Sequence, residues 1–279
     1  MLCDFGDWLH PGGLVYRPMR MANTAPDTAS TPDTALATNN TTALAPPHPT
    51  AEAEEIYRRW LQFLDDEFTR HSVPERRSEI VRDQLYQIYL GRPHGGKLNL
   101  TLTSELPGNV VSLTLDPENV TLEAGHFKDI DRKKWAPLKP LLWFWKMFDR
   151  SPLGLNHWLG LRFRCMLGRH IFAHMGTGVR IYHGVDLTYG YNLTIEDNVE
   201  IRQGVVLNDR GGIKIGKGVV IGSFARIYSH AFALDDMENV SLTAIEIGEQ
   251  ARIASHAIVL AGQKVEPHAV IGDFPSEKR

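Results

Sequence analysis

Cysteine is almost absent from this 279-residue chain, in which only Cys3 and Cys165 occur. Two thiols cannot form the multi-bridge framework of a small secreted domain or a cysteine-ligated zinc site, so both are excluded. Long apolar runs are missing as well, because none approaches the roughly 18–20 residues that cross a bilayer. The longest run, at 141–148, is broken by Lys146. We interpret it as a buried helix, and a lip resting on a membrane surface is the alternative.

A strong charge of one sign is also absent, since the formal net charge is −3. Such a chain has no overall attraction to nucleic acid or to anionic lipid. Its apolar content of 43% and charged content of 23% are ordinary for a globular protein. We therefore expect a cytoplasmic globular protein of one or two domains without a membrane span.

Lysine and arginine are missing from the stretch 21–50, which is rich in Ala, Thr and Pro. That composition cannot bury enough apolar surface to offset the entropy of ordering, so the stretch is predicted to be disordered. We take residues 1–50 together as an N-terminal tail. The lack of arginine argues against an organelle transit peptide, and Met21 is an alternative start.

Residues 51–175 are predicted to form a region of helices and strands that caps the C-terminal part of the chain. Helical periodicity predicts two helices within 51–91, separated by Pro74. The first would share a face at Ile56, Trp60, Phe63, Leu64 and Phe68, and the second at Val81, Leu85, Ile88 and Tyr89. Apolar alternation over 98–124, with a turn at 116–119, predicts short strands. The aromatic, arginine-rich helical pattern over 138–175 is interpreted as the element that leads into the C-terminal part of the chain and covers its start.

A six-residue rhythm is what the chain does have, from about residue 179 to 271. Apolar residues recur at every sixth position, namely Ile195, Ile201 and Leu207, then Ile215, Ile221 and Ile227, then Ile247, Ile253, Val259, Val265 and Ile271. This period fits neither a helix nor an alternating strand. It is typical of a solenoid whose stacked coils bury one continuous column. The fold class predicted is mainly β, with a solenoid domain of roughly five coils at 176–279.

One coil carries a long excursion. Three apolar doublets, at 193–195, 213–215 and 245–247, begin successive coils that lie 20 and then 32 residues apart. The additional residues of the second interval fall in 229–242, which we predict to be a loop extruded from an edge. Long excursions from a regular scaffold are often functional.

The segments 189–201 (YGYNLTIEDNVEI), 205–230 (VVLNDRGGIKIGKGVVIGSFARIYSH) and 245–262 (IEIGEQARIASHAIVLAG) carry a family resemblance. From Gly178 to Gly272 the chain resembles the hexapeptide-repeat acyltransferases, and most of all their sugar O-acetyltransferase branch of maltose, galactoside and colanic-acid type enzymes. The resemblance implies a left-handed parallel β-helix and a homotrimer with each site between two subunits. It also implies acetyl-CoA as acyl donor along the coils, no metal, and a saccharide hydroxyl as acceptor.

In such enzymes a histidine on the extruded loop removes the acceptor proton, a task suited to a pKa near the working pH. Backbone N–H groups at a coil corner would hold the oxyanion. By this resemblance His230 is the general base, and Ala254, Ser255 and Gly262 lie along the acyl donor. The acceptor would meet Gln203, Asn208, Asp209 and Asp235. An ordinary loop histidine, corner residues and solvated acids are the alternative interpretations of these positions.

Two other functions stay open. A solenoid that only trimerises or binds a partner is favoured by Phe232, which stands where relatives often carry a further histidine. A gamma-type carbonic anhydrase is less favoured, because a catalytic zinc needs three protein ligands. His256 matches one of them, but its partner position five residues on is Ala261.

Overall fold

The computed structural model describes residues 48–95, 106–233 and 236–273, and the side chains of 106, 233 and 236–238 are not described. The predicted tail before residue 48, the first part of the predicted strand region and Asp235 therefore lie outside the described residues. Within the described ranges, no helix is long and apolar enough to cross a membrane.

The helical region comes first in the chain. Its helices are α1 (Ala51–Arg70), α2 (Pro74–Leu90), α3 (Leu106–Thr114), α4 (Arg132–Trp135), α5 (Lys139–Arg150), α6 (Pro152–Leu155) and α7 (His157–Ile171), with 3₁₀ turns at Pro117–Asn119 and Glu123–His126. The prediction of two helices on either side of Pro74 is confirmed. The apolar run at 141–148 is indeed a buried helix, since α5 buries Leu141, Leu142, Phe144, Trp145 and Phe148.

The strands predicted within 106–124 are wrong, because α3 and a 3₁₀ turn occupy this stretch. The buried positions are Asn109, Ser112 and Leu115, three residues apart, as on one face of a helix. The alternating residues Val111 and Leu113 are exposed instead. Two of the three inward-facing residues are polar. The apolar alternation in the sequence therefore indicated the exposed residues of this segment and not its buried ones.

The predicted face of α1 is also partly wrong. Ile56 and Phe63 are exposed, while Leu61, Leu64 and Phe68 are buried. The buried stripe is therefore rotated away from the one expected, because the helix packs beside the aromatic side chains of α5 and α7. Phe163 on α7 is the centre of that packing, with its ring 3.6 Å from that of Phe148 between centroids.

The second half of the chain is a parallel β-solenoid of about five turns, as predicted. Sheet 1 contains β1 (His174–Met175), β4 (Leu193–Ile195), β7 (Ile213–Ile215), β12 (Ile245–Ile247) and β15 (Lys264–Val265). Sheet 2 contains β2 (Arg180–Ile181), β5 (Glu200–Ile201), β8 (Val220–Ile221), β13 (Arg252–Ile253) and β16 (Val270–Ile271). Sheet 3 contains β3 (Asp186–Leu187), β6 (Val206–Asn208), β9 (Arg226–Tyr228) and β14 (Ile258–Val259).

The six-residue rhythm fills the interior of this solenoid. Ile195, Ile201, Ile215, Ile221 and Ile227 are each 0% exposed. Equivalent residues of successive coils pair in register, for example Ile195 with Ile215 and Ile215 with Ile247. Each coil thus buries its apolar residues against the next, which is why a single coil would not be stable alone.

The excursion predicted at 229–242 leaves the stack between β9 and β12. It forms an antiparallel hairpin of β10 (His230–Ala233) and β11 (Asp236–Leu242), in which His230 pairs with Leu242. The strands on either side still pair directly with their neighbours, β7 with β12 and β9 with β14. The hairpin is therefore an insertion at one edge, where sheet 3 passes into sheet 1.

The helical region covers the outer edge of the first coil. In the stack, some backbone N–H groups donate to carbonyls of the following coil, as Arg180 does to Val199 at 2.9 Å, and others donate back to the preceding coil, as Asn198 does to Thr177 at 2.8 Å. The first coil therefore has backbone positions at its free edge that pair with no other described coil, and helical side chains donate to two of its carbonyls there. The indole Nε1 of Trp145 reaches the Val185 oxygen at 2.8 Å and the Cys165 thiol reaches the Val179 oxygen at 2.9 Å.

Candidate active site

A cleft of about 780 Å³ opens at the solenoid edge where sheet 3 passes into sheet 1. We call this edge of the solenoid the cleft edge. The wall of the cleft comes from two parts of the chain. The helical region contributes Glu123, His126, Phe127, Lys128 and Asp129, and the solenoid with its hairpin contributes Asn208, Arg210, Tyr228, His230, Phe232, Asn239 and Val240. Two of the predicted site residues, His230 and Asn208, line this cleft.

His230 is the first residue of the hairpin and is half-buried in the cleft wall. Its Nδ1 lies 3.1 Å from Oδ1 of Asn208. When that amide oxygen accepts, Nδ1 carries the proton and Nε2 is left as the acceptor nitrogen of a neutral imidazole. The rings of Tyr228 and Phe232 lie on either side, at 5.8 and 6.2 Å between centroids.

The pKa of His230 is lowered from its ordinary value of 6.5. Burial is the largest cause, because it penalises the charged imidazolium, and the positive charge of Arg210 acts in the same direction. The negative charge of Asp129 opposes them. The imidazole is therefore neutral around pH 7 and able to take a proton.

A buried serine fixes the corner that presents Asn208. The Ser229 hydroxyl donates to the Asn208 carbonyl at 2.7 Å and accepts from the Gly211 N–H at 2.9 Å. A Cβ on Gly211 would lie only 2.2 Å from the Ser229 carbonyl oxygen, so the corner requires glycine there. Asn208 and His230 are thus held together by backbone geometry as well as by their own hydrogen bond.

Asp209 lies behind this corner, not in the cleft. Its side chain is 0% exposed and accepts the backbone N–H groups of Tyr189 at 2.7 Å and Asn192 at 3.2 Å. Burial raises the pKa of Asp209, and these backbone hydrogen bonds oppose the rise. The sequence analysis expected Asp209 to contact the acceptor substrate. Its carboxylate instead joins two successive coils.

The other predicted residues are spread over two edges. Gln203 and Ser255 are exposed at corners where sheet 2 passes into sheet 3, and Ala254 beside them is 1% exposed. Gly262 lies at the cleft edge in the coil after the hairpin, with φ of 78° and Thr243 as its nearest neighbour. The structure therefore brings Asn208 and His230 together, with Asp209 behind them. It leaves Gln203, Ala254 and Ser255 on a different edge of sheet 3.

One acidic group in the cleft that the sequence analysis missed is Asp129, from the segment before α4. Its carboxylate forms an ion pair with Arg210 and accepts the Tyr189 hydroxyl at 2.8 Å. The Arg210 guanidinium also lies 4.1 Å from the ring centroid of Phe127. The sequence contained only an indirect signal for Asp129. Arg210 follows an apolar column and needs a carboxylate partner when buried, but the sequence does not indicate which carboxylate this is.

Among the described residues, no three His, Cys, Asp or Glu side chains cluster closely enough to hold a metal ion. No known family profile matches the chain. Solved structures similar to it include a maltose O-acetyltransferase from Clostridium difficile 630, with 19% identity and a TM-score of 0.42, over 50% of this chain and 72% of that one.

A hexapeptide-repeat acetyltransferase from Vibrio cholerae, solved with acetyl coenzyme A, matches at 21% identity and a TM-score of 0.39, over 57% of this chain and 94% of that one. A serine acetyltransferase from Neisseria gonorrhoeae matches at 18% identity and a TM-score of 0.31, over 81% of this chain and 86% of that one. With identities and TM-scores this low, these likenesses carry no conclusion about the activity or substrate of this chain.

Proposed function

We propose that the protein is an acyltransferase that uses His230 to activate a hydroxyl acceptor. The observation that carries the proposal is the His230 imidazole in the cleft wall, whose Nδ1 lies 3.1 Å from Oδ1 of Asn208 and whose Nε2 is then left as the acceptor nitrogen. Its lowered pKa, caused first by burial, supports the proposal. In the reaction, Nε2 of His230 takes the proton of the acceptor hydroxyl while the hydroxyl oxygen attacks the carbonyl carbon of a thioester. The thiolate then leaves and takes up a proton, so that an ester and a free thiol are formed.

A saccharide is the acceptor that the cleft wall suits best. Phe127, Tyr228 and Phe232 offer ring faces to the apolar side of a sugar. Asn208 offers its amide group to a hydroxyl of the sugar from the same wall. A volume of about 780 Å³ leaves room for a molecule larger than a single amino acid.

Acetyl-CoA is the proposed acyl donor, in line with the sequence resemblance of 178–272. Gly262, at the cleft edge, has no heavy atom closer than 3.4 Å to the position of a Cβ, which leaves room for a ligand beside the backbone. Ala254 and Ser255 lie on the other edge of sheet 3, so they would meet the donor from a neighbouring subunit of the proposed trimer. When bound, the thioester supplies the activated carbonyl, and this chain supplies the base.

A homotrimer in the cytoplasm is the proposed state of the protein. Large apolar side chains are exposed on the late coils, with Ile258, Leu260 and Val270 between 53% and 57% exposed, and a symmetric assembly would cover them. Cys165 forms no disulfide among the described residues, which suits a reducing compartment. Light scattering at micromolar concentration should give three times the mass of the chain, and a monomer would contradict the shared site.

The decisive experiment is incubation of the full chain with acetyl-CoA and a panel of sugars and serine, with thiol release followed over time. We expect release that depends on a sugar and is lost in His230→Gln. Release with serine alone would place the enzyme with a different acceptor class. No release with any acceptor, from a folded trimer, would favour the non-catalytic binding solenoid.

A further inference from the structure

The ion pair between Asp129 and Arg210 lies in the cleft wall beside the proposed base. The Arg210 side chain is 8% exposed and that of Asp129 is 17% exposed, so both charges are largely removed from water. The guanidinium makes a second contact, from Nε to Oδ2 of Asp129 at 3.2 Å. Asp129 comes from the helical region and Arg210 from the solenoid corner, two residues after Asn208.

Several contacts hold this pair in place. Tyr189 is 0% exposed and donates its hydroxyl to Oδ2 of Asp129 at 2.8 Å. The Phe127 ring lies against the guanidinium at 4.1 Å. Burial would raise the pKa of Asp129, but the hydrogen bonds from Arg210 and Tyr189 outweigh it, so the pKa is lowered and the carboxylate stays charged.

We propose that Asp129 is a positioning residue for the His230 base, and that through Arg210 it sets the pH above which this base is free to act. The inference rests on the proposed function, because it assigns His230 the role of base. It goes beyond that function by giving the helical region a part in the chemistry of a site that the solenoid builds.

The two charges act on the imidazole in opposite directions. Arg210 disfavours the imidazolium and Asp129 favours it. Among the described residues, the other ionisable groups that line the cleft are Glu123, His126 and Lys128 from the helical region and Tyr228 from β9. Of the described hairpin side chains in the cleft, Phe232, Asn239 and Val240 do not ionise. Within this described lining, only the Asp129–Arg210 pair combines opposite signs, burial and a place on both halves of the cleft.

Removal of either charge should therefore shift the titration of His230, with opposite sign. In Asp129→Asn the unopposed arginine lowers the midpoint, while the amide can still accept from Tyr189. In Arg210→Gln the unopposed carboxylate raises it. The double variant should return towards the wild-type midpoint, and Arg210→Lys, which keeps the charge, should stay close to it.

The test is an NMR titration of the full chain labelled with ¹³C-histidine, with the His230 signal assigned from His230→Gln. The acidic limb of kcat/KM against pH is measured on the same variants. Asp131→Asn is the matched control, since Asp131 caps α4 two residues further along and should shift neither readout. Opposite shifts in both readouts support the proposal.

Midpoints that shift in the same direction in the two single variants, or that do not shift, would overturn the proposal. A general loosening of the cleft would move both midpoints in the same direction, so opposite shifts cannot come from loosening. If Asp129→Asn does not fold, the upward shift in Arg210→Gln and the wild-type midpoint in Arg210→Lys decide the matter. The NMR readout needs no activity. If the NMR midpoints shift in opposite directions but no acyl transfer is found, only the proposed function is contradicted. If acyl transfer is found but the acidic limb of kcat/KM does not shift in the variants, only the positioning role of Asp129 is contradicted.

Discussion

The solenoid and the helical region are stabilised in different ways. In the solenoid, one apolar position recurs in every coil and each coil pairs in register with the next. In the helical region, a few large rings meet around Phe163, which contacts Phe148 and Phe144 at 3.6 and 5.0 Å between centroids. The repeated half therefore depends on many equivalent contacts, and the other half depends on a few unique ones.

The same contrast divides the candidate site. The coil register places Asn208 and the start of the hairpin one coil apart at a single edge, and the hydrogen bond between Asn208 and His230 joins the two side chains. The irregular half adds Phe127 and Asp129, which give the cleft its far wall. The solenoid thus supplies the residues proposed for the chemistry, while the part with no repeat supplies the opposite wall of the cleft.

Replacement of the proposed base should have the largest effect on activity. His230→Ala should lower acyl transfer by on the order of 10²–10⁴-fold, the usual contribution of a general base, with the loss in the chemical step measured by single-turnover kinetics. The matched control is His256→Ala, at an exposed corner where it stacks on Phe224. A greater loss in His256→Ala than in His230→Ala would move the chemistry off the cleft edge.

The largest effect on stability should come from the centre of the aromatic cluster. Phe163→Ala should lower the free energy of unfolding by about 3–5 kcal/mol, as large-to-small changes in a core do. Ile221→Val, in the repeated column, should cost only about 0.5–1.5 kcal/mol. Urea unfolding measures both, with the exposed Phe63→Ala as control. A cost for Phe163→Ala no larger than that of the exposed Phe63→Ala would contradict the central place of the Phe163 ring in the helical region.

A smaller effect is expected where the two halves meet. Trp145→Phe removes the indole donor from the Val185 carbonyl and should cost about 1–3 kcal/mol, since a buried acceptor is left unsatisfied. Trp143→Phe is the matched control, because the Trp143 indole nitrogen has no partner among the described residues. Equal thermal shifts for the two variants would show that the carbonyl contact contributes nothing.

The smallest effect is expected from the N-terminal stretch. Its composition predicts no contribution to a core, so a chain that starts at Pro49 should keep its unfolding midpoint and activity. Thr50 must be retained, since its hydroxyl accepts the Ala53 N–H at the start of α1. Thr50→Ala should cost about 0.5–2 kcal/mol. A truncation more damaging than this substitution would mean that the stretch docks on the rest of the protein.

The solenoid was predictable because its structure is local. Burial of Ile195, Ile201 and Ile215 follows from a period that can be counted, and the place of the hairpin follows from the one interval that breaks it. The same count places Asn208 and His230 at one edge. These inferences need only the register between neighbouring coils, which the sequence displays directly.

The helical wall of the cleft was not predictable in this way. Asp129 reaches Arg210 across 81 positions of the chain, and the segment that carries it has no period to count. The buried face of α3 was missed for a related reason, since Asn109 and Ser112 are polar and face inward through tertiary contacts. Buried polar groups depend on partners that only the folded chain brings near.

The covered edge of the first coil has a consequence for self-association. A bare coil presents a row of carbonyls in the same spacing as those that receive the next coil, and could therefore template the coil of another molecule. The side chains of Trp145 and Cys165 already occupy two of these acceptors, at Val185 and Val179. End-to-end growth into a fibre is thus blocked at this end by hydrogen bonds that a second molecule would have to displace.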